Sequence, residues 1–260
     1  MQVYNVDDPR EEAILKQQTP VNQVLPRETV YGDAPGLIPF GEALPDKLID
    51  PKDYKETIQF CHDRQIFPIY HQHATWAPPG VMEWYQDGLK YCWTWGGTAA
   101  LQDCEAREKK WTTLLSPVAM GYLVDWRNAG NYLDSVIQGF KERGVPEASY
   151  TPDMLSRNPK TFKEGWEDNA LLHRLGDVYD TDAQKMIQHA ISILACGIPG
   201  HNAFNWWGHS TETVCVWWDE TQVNNLRWGV RNSHNENDVI VMTGNKAVPD
   251  EFYGYASTKT

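Results

Sequence analysis

What most constrains this chain is a change of hydrophobic rhythm between Gly197 and Gly200. Before it, apolar residues recur at helical spacing; after it come short runs rich in Val, Trp, Ile and Thr, parted by turn residues. Asp50 as N-cap and Pro51 at the first helical position open a helix carrying Tyr54, Ile58 and Cys61. Ile66 to Tyr70 reads as a short strand. A further helix runs from near Cys92 to about Arg107, with Ala99, Ala100 and Cys104 along it. Another carries Leu133, Val136, Ile137 and Phe140 and stops at Gly144. In the last, Thr181-Asp182-Ala183-Gln184 fits a capping box, Met186, Ile187, Ala190, Ile191 and Leu194 form the apolar face, and Gly197 ends it. Strands are expected at 201–207, 211–218, 226–231 and 239–243. Helices first and strands later is an α+β plan, not alternating βαβ.

Residues 1–51 differ from the rest. They hold seven of the sixteen prolines and little periodicity, and segments such as Gly32-Asp33-Ala34-Pro35-Gly36 read as extended or turning chain. The expected organisation is a Pro-rich N-terminal arm at 1–51 and one domain at 52–260, with 52–65 as a helix leading into it. The arm packs on its own domain, joins a homo- or hetero-oligomer, or forms a disordered tail.

Composition narrows the function classes. With 41% apolar and 22% charged residues, global disorder is excluded. Thirty-five acidic against 23 basic side chains give a net charge of -12, and no Lys/Arg-rich run offers a nucleic-acid footprint. No stretch approaches the roughly 18 apolar residues of a membrane helix. The N-terminus lacks the basic start and apolar stretch of a signal peptide, so a cytoplasmic location is expected, or a virion if the gene is phage-borne. Five cysteines, widely spaced and without a C-x-x-C pair, argue against a zinc ribbon and a disulfide framework. His71 and His73 share a face of the expected strand but lack a third ligand within sequence reach, so neither metal nor cofactor is expected. The twelve tryptophans, several of them clustered, read as a bulky core or a binding cleft.

The chemistry centres on Cys92. A thiol opening a helix meets the positive end of the helix dipole, which favours thiolate. Such a nucleophile needs a base and a third group to orient that base. His209, at the start of one expected strand, and Asn232, at the end of another, would come within reach of each other if the strands are adjacent. The Gln86 amide and the Cys92 backbone N–H would form an oxyanion hole. Each residue also has a bland alternative: Cys92 a small buried hydrophobe, His209 a core histidine, Asn232 a turn-former and Gln86 a surface amide.

Gln86 lies six residues before Cys92-Trp93, His209 follows far downstream, and Asn232-Ser233 comes roughly two dozen residues later. Leu115-Ser116-Pro117, Asn128-Ala129-Gly130 and Val145 to Tyr150 stand between them. This order and spacing resemble the papain-like cysteine peptidases over about 66–257, most closely divergent members from bacteria and their phages. The resemblance implies a helical half whose central helix opens at the cysteine, a twisted antiparallel β half, and a cleft between them. It also implies hydrolysis of peptide or isopeptide bonds by a Cys92–His209–Asn232 triad, with Gln86 at the oxyanion and Gly130 and Trp93 binding substrate.

Several positions depart from that pattern. Leu89 replaces the family's cysteine three residues before the nucleophile, which removes the neighbouring disulfide. His234 replaces the tryptophan that shields the Asn–His contact. The segment before His209 is shortened, and residues 1–65 lack the helical pattern of an inhibitory propeptide. Two other readings follow from the residues: a structural or assembly protein, of a phage particle for instance, that reuses the fold with little turnover, and a carbohydrate-active protein using the tryptophans and carboxylates.

Overall fold

A computed structural model describes residues 1–18, 24–71, 89–109, 113–124, 130–153, 155, 156, 158–232 and 239–259. In chain order the elements are β1 (Val3–Asn5), α1 (Pro9–Gln18), β2 (Ile38–Pro39), α2 (Phe40–Ala43), α3 (Tyr54–Asp63), α4 (Cys92–Lys109), α5 (Pro117–Leu123), α6 (Leu133–Glu142), α7 (Trp166–Ala170), β3 (Arg174–Leu175), β4 (Val178–Asp180), α8 (Met186–Ala195), β5 (Gly200–Phe204), β6 (His209–Trp218), β7 (Leu226–Arg231), β8 (Val239–Thr243), β9 (Glu251–Tyr255) and β10 (Thr258–Lys259). Eight strands form one sheet in the order β1-β8-β7-β6-β5-β9-β4-β2, and β10 pairs with β3 apart from it. The outermost pairs, β1 with β8 and β2 with β4, are parallel; the interior of the sheet is antiparallel. The α+β plan read from the sequence is the one observed.

Strand alternation makes two cores from this one sheet. Phe252 and Phe204 face Leu15, Ile58 and Ile191, so α1, α3 and α8 cover that side. Tyr253, Tyr255 and Ala203 face Trp93, Ala100 and Phe140, so α4 and α6 cover the other. The helix α4 is the central element of the second face and is buried over nearly its whole length. Glycines let it approach closely. A Cβ on Gly96 would stand 2.9 Å from the Thr211 carbonyl oxygen, and one on Gly97 would stand 2.6 Å from the Phe140 ring. Any larger residue at either position would force the helix off the sheet.

Three local expectations are corrected. Ile66 to Tyr70 is not a strand: Pro68–Tyr70 forms a 3-10 turn, and Phe67 and Ile69 are buried by that turn. A short apolar run with an internal proline has no strand ladder to join, because Pro68 lacks an N–H. The strand expected at 201–207 ends at Phe204, since Asn205 to Gly208 forms the connection to β6 and Gly208 takes φ +62. Asp182 caps the 3-10 turn Ala183–Lys185 that leads into the last long helix, its side chain accepting the Gln184 N–H at 2.9 Å, and α8 itself has no side-chain cap. Thr181 instead donates to the Phe252 carbonyl at 2.7 Å, tying the helix entry to β9. Among the described residues, no disulfide joins the five cysteines, and no helix is long and apolar enough to cross a membrane.

Candidate active site

Cys92 is the first residue of α4, an 18-residue helix, and is fully buried. The Tyr91 carbonyl accepts the Thr94 and Trp95 N–H groups at 2.8 and 3.1 Å, closing the first turn around it. Trp93 is buried beside it, its indole N–H donating to the Lys90 carbonyl at 2.9 Å. The other four thiols sit where the thiolate is disfavoured. Burial pushes Cys61 up to about 11 and Cys104 up to about 12, raises Cys215 well above the ordinary range, and raises Cys196 as well.

The register of the sheet brings His209 and Asn232 together. The short loop between β5 and β6 pairs Phe204 with His209, making His209 the first residue of its strand. Glu212 pairs with Arg231 on β7, so Asn232, one position on, lies diagonal to His209 across the strand pair. The two side chains meet: His209 Nε2 lies 2.8 Å from Asn232 Oδ1, and both residues are buried. An amide oxygen only accepts, so Nε2 carries the proton and Nδ1 keeps the lone pair. The Trp207 ring lies 4.6 Å from the imidazole at 56° and walls it on one side.

The helix and the strand meet along one face. Cys92, Gly96 and Asp103 recur at helical spacing. Gly96 abuts Ser210 and Thr211, and Asp103 lies 3.6 Å from Arg231, which in turn pairs with Glu212 at 2.5 Å. Cys92 stands on this same face of α4, one turn before Gly96, about 5.4 Å along the axis. Burial raises the Glu212 carboxyl far above its usual range, and the neighbouring Asp103 raises it further. The Arg231 guanidinium between the two buried carboxyls works against that rise and ties the end of β7, next to Asn232, to β6 and α4.

Residues 24–36 run over this region as a strap. The Val24 N–H donates to the Gly208 carbonyl at 3.0 Å, directly before His209, and the Leu25 N–H donates to the Asn131 carbonyl at 3.1 Å. Asn131 follows Gly130, the half-exposed residue expected to bind substrate. Further along, the Arg27 N–H donates to Glu251 Oε1 at 2.8 Å, and the Arg27 guanidinium grips both oxygens of buried Asp180 at 2.7 Å. The strap therefore crosses the end of the sheet from β6 to β9.

Gln86 lies outside the described residues, as do Asn128, Ala129, Ser233, His234 and His73. Of the remaining expected residues, Cys92 opens α4 and His209 opens β6, Asn232 meets His209, and Gly130 stands by the strap. Two features went unread in the sequence. Trp207 was signalled only by its place two residues before His209. The strap has a Pro-rich sequence without periodicity, because its hydrogen bonds go to distant backbone instead of to a regular ladder. Among the described residues, no group of three or more His, Cys, Asp or Glu side chains could hold a metal ion.

No protein-family model and no curated protein matches the chain. Solved structures do. Xylellain, a cysteine protease from Xylella fastidiosa, superposes with a TM-score of 0.52 at 16% identity, over 70% of this chain and 85% of its own. Digestive procathepsin L 3 of the Tenebrio molitor larval midgut gives 0.53 at 15% identity, over 65% and 64%. Recombinant stem bromelain precursor gives 0.57 at 11% identity, over 96% of this chain and 87% of its own. The chain therefore has the fold of papain-like cysteine proteases.

Proposed function

We propose that the protein is a cysteine hydrolase acting on peptide or isopeptide bonds. The observation that carries this reading is the 2.8 Å contact between His209 Nε2 and Asn232 Oδ1, made at the start of the strand against which Cys92's helix packs. In this mechanism His209 Nδ1 takes the Cys92 proton, and the thiolate at the helix N-terminus attacks the carbonyl carbon. The new S–C bond leaves the former carbonyl oxygen negative, with the Cys92 N–H and the Gln86 amide as its donors. The C–N bond then breaks, and the amine departs with the proton from the His209 imidazolium. Water hydrolyses the thioester, giving its proton back through His209. Asn232 holds the imidazole in one tautomer throughout, without adding a charge that would compete with the thiolate. Trp93 and Gly130 take substrate along the walls.

The strap lies where substrate would approach, so substrate and strap compete for the Gly208 carbonyl. The reading is tested by incubating the protein and Cys92→Ala with a mixed peptide library and following cleavage by mass spectrometry. Cleavage by the wild type and none by a Cys92→Ala variant with the same melting temperature is expected. Equal cleavage by both would rule the mechanism out.

A further inference from the structure

Behind the site, a second histidine spans three strands. His201, on β5, is fully buried. Its register partners are Glu212 on β6 and Tyr253 on β9, but its ring bonds to the diagonal neighbours instead. Nδ1 lies 2.8 Å from the Tyr255 hydroxyl and Nε2 lies 2.9 Å from Ser210 Oγ. Ser210 is the residue after His209. The ring also interacts with the backbone of Trp93, the residue after Cys92. It fits under α4 because position 97 is glycine: a Cβ there would stand 3.0 Å from His201 Cε1.

The polar groups that this imidazole meets include the two chain positions that follow the nucleophile and the base, Trp93 and Ser210, and one anchor on β9. A leucine of similar size would fill the same volume in the core. The imidazole adds two directed bonds that tie β5 to Ser210 on β6 and to Tyr255 on β9, and its ring meets the Trp93 backbone in the first turn of α4. We propose that His201 is a positioning residue for the Cys92–His209 pair, with Ser210 as its contact to the base and Tyr255 as its anchor. The proposal rests on the hydrolase reading given above.

Its chemistry suits a fixed spacer. Desolvation drives its pKa down to about 3, so it stays neutral while His209 cycles its proton. A neutral ring has one donor and one acceptor nitrogen. The Tyr255 and Ser210 hydroxyls can each take either role, so both bonds are satisfied whichever nitrogen carries the proton. No groups of formal charge contact the ring among its hydrogen-bond partners, and Glu212, its register neighbour, is paired with Arg231.

The test follows Cys92 alkylation by iodoacetamide against pH in the wild type and in His201→Phe, Ser210→Ala, Tyr255→Phe and His201→Gln. His201→Phe keeps the volume and removes both bonds; Ser210→Ala removes the contact to the base strand alone. The expected result is a plateau rate lowered about ten- to a hundredfold in these two, with the acidic limb of the profile moved to higher pH. Tyr255→Phe, one bond further out, should lose less, and His201→Gln, which can still reach Ser210, should recover part of the rate. Variants that melt earlier but keep the wild-type rate and pH profile while folded would overturn the proposal. Failure of the hydrolase reading would look different: the wild type itself would show no fast, pH-dependent alkylation at Cys92.

Discussion

Glu251 is 4% exposed beneath the strap, and desolvation lifts its carboxyl from 4.5 to about 7, although the Arg27 N–H works against the shift. Between these two values the native protein holds a proton that the unfolded chain has released. Stability from this group is therefore complete below about pH 4.5 and is lost as the pH rises to about 7. At 1.36 kcal/mol per unit the effect is on the order of 3 kcal/mol. Melting curves from pH 4.5 to 8 should show the wild type declining relative to Glu251→Gln across that window; parallel curves would contradict it. At this scale part of the site was legible in the sequence. Cys92 before a helical run, His209 and Asn232 at strand limits each carry a local signal. His201, Ser210 and Tyr255 carry none, because their meeting depends on the register of three strands. That register is set by a loop of four residues and a glycine at φ +62.

The elements that carry the site were read with uneven success, and the reason is physical. Helices α6 and α8 carry an apolar periodicity that survives in sequence, whereas α4 is buried on all sides from Cys92 to Ala106. The strands β7 and β8 were found at their observed limits, since turn residues flank both. The elements at 3–5, 9–18 and 38–43 were missed because they are short or weakly amphipathic and draw their stability from the sheet they join. The strap belongs to the same class. Beside His209 the strap is tied by the backbone bond from Val24 to Gly208, and Val24→Pro removes that donor. Losing one net hydrogen bond of about 1 kcal/mol should speed labelling of Cys92 roughly fivefold. Identical rates in the two proteins would mean that the strap does not gate the thiol.

Taken as a whole, the molecule is closed by its own N-terminal residues. Both edges of the eight-stranded sheet, β1 and β2, come from residues 1–51. Tyr4, Val6, Leu15 and Phe40 from the same stretch are buried in the core beneath α3 and α8. Both edge strands, of three and two residues, come from chain that the bare sequence presents as an arm, and their shortness leaves little open ladder. Sequence rhythm revealed the helix-then-strand order because that order is written locally. The path of the N-terminal residues around the sheet is written in contacts more than 200 positions apart, such as Asp7 with Asn245, and leaves no local trace.

In the proposed mechanism Cys92 and His209 act as one unit, with Asn232 orienting the histidine. Treating the folded protein at pH 7 with an epoxysuccinyl electrophile, then reading intact mass and a peptide map, tests it most directly. A single adduct on Cys92, sparing Cys61, Cys104 and Cys215, is expected, as is its loss in His209→Ala. Labelling of Cys92 at the same rate without His209, or no labelling until the protein unfolds, would contradict it.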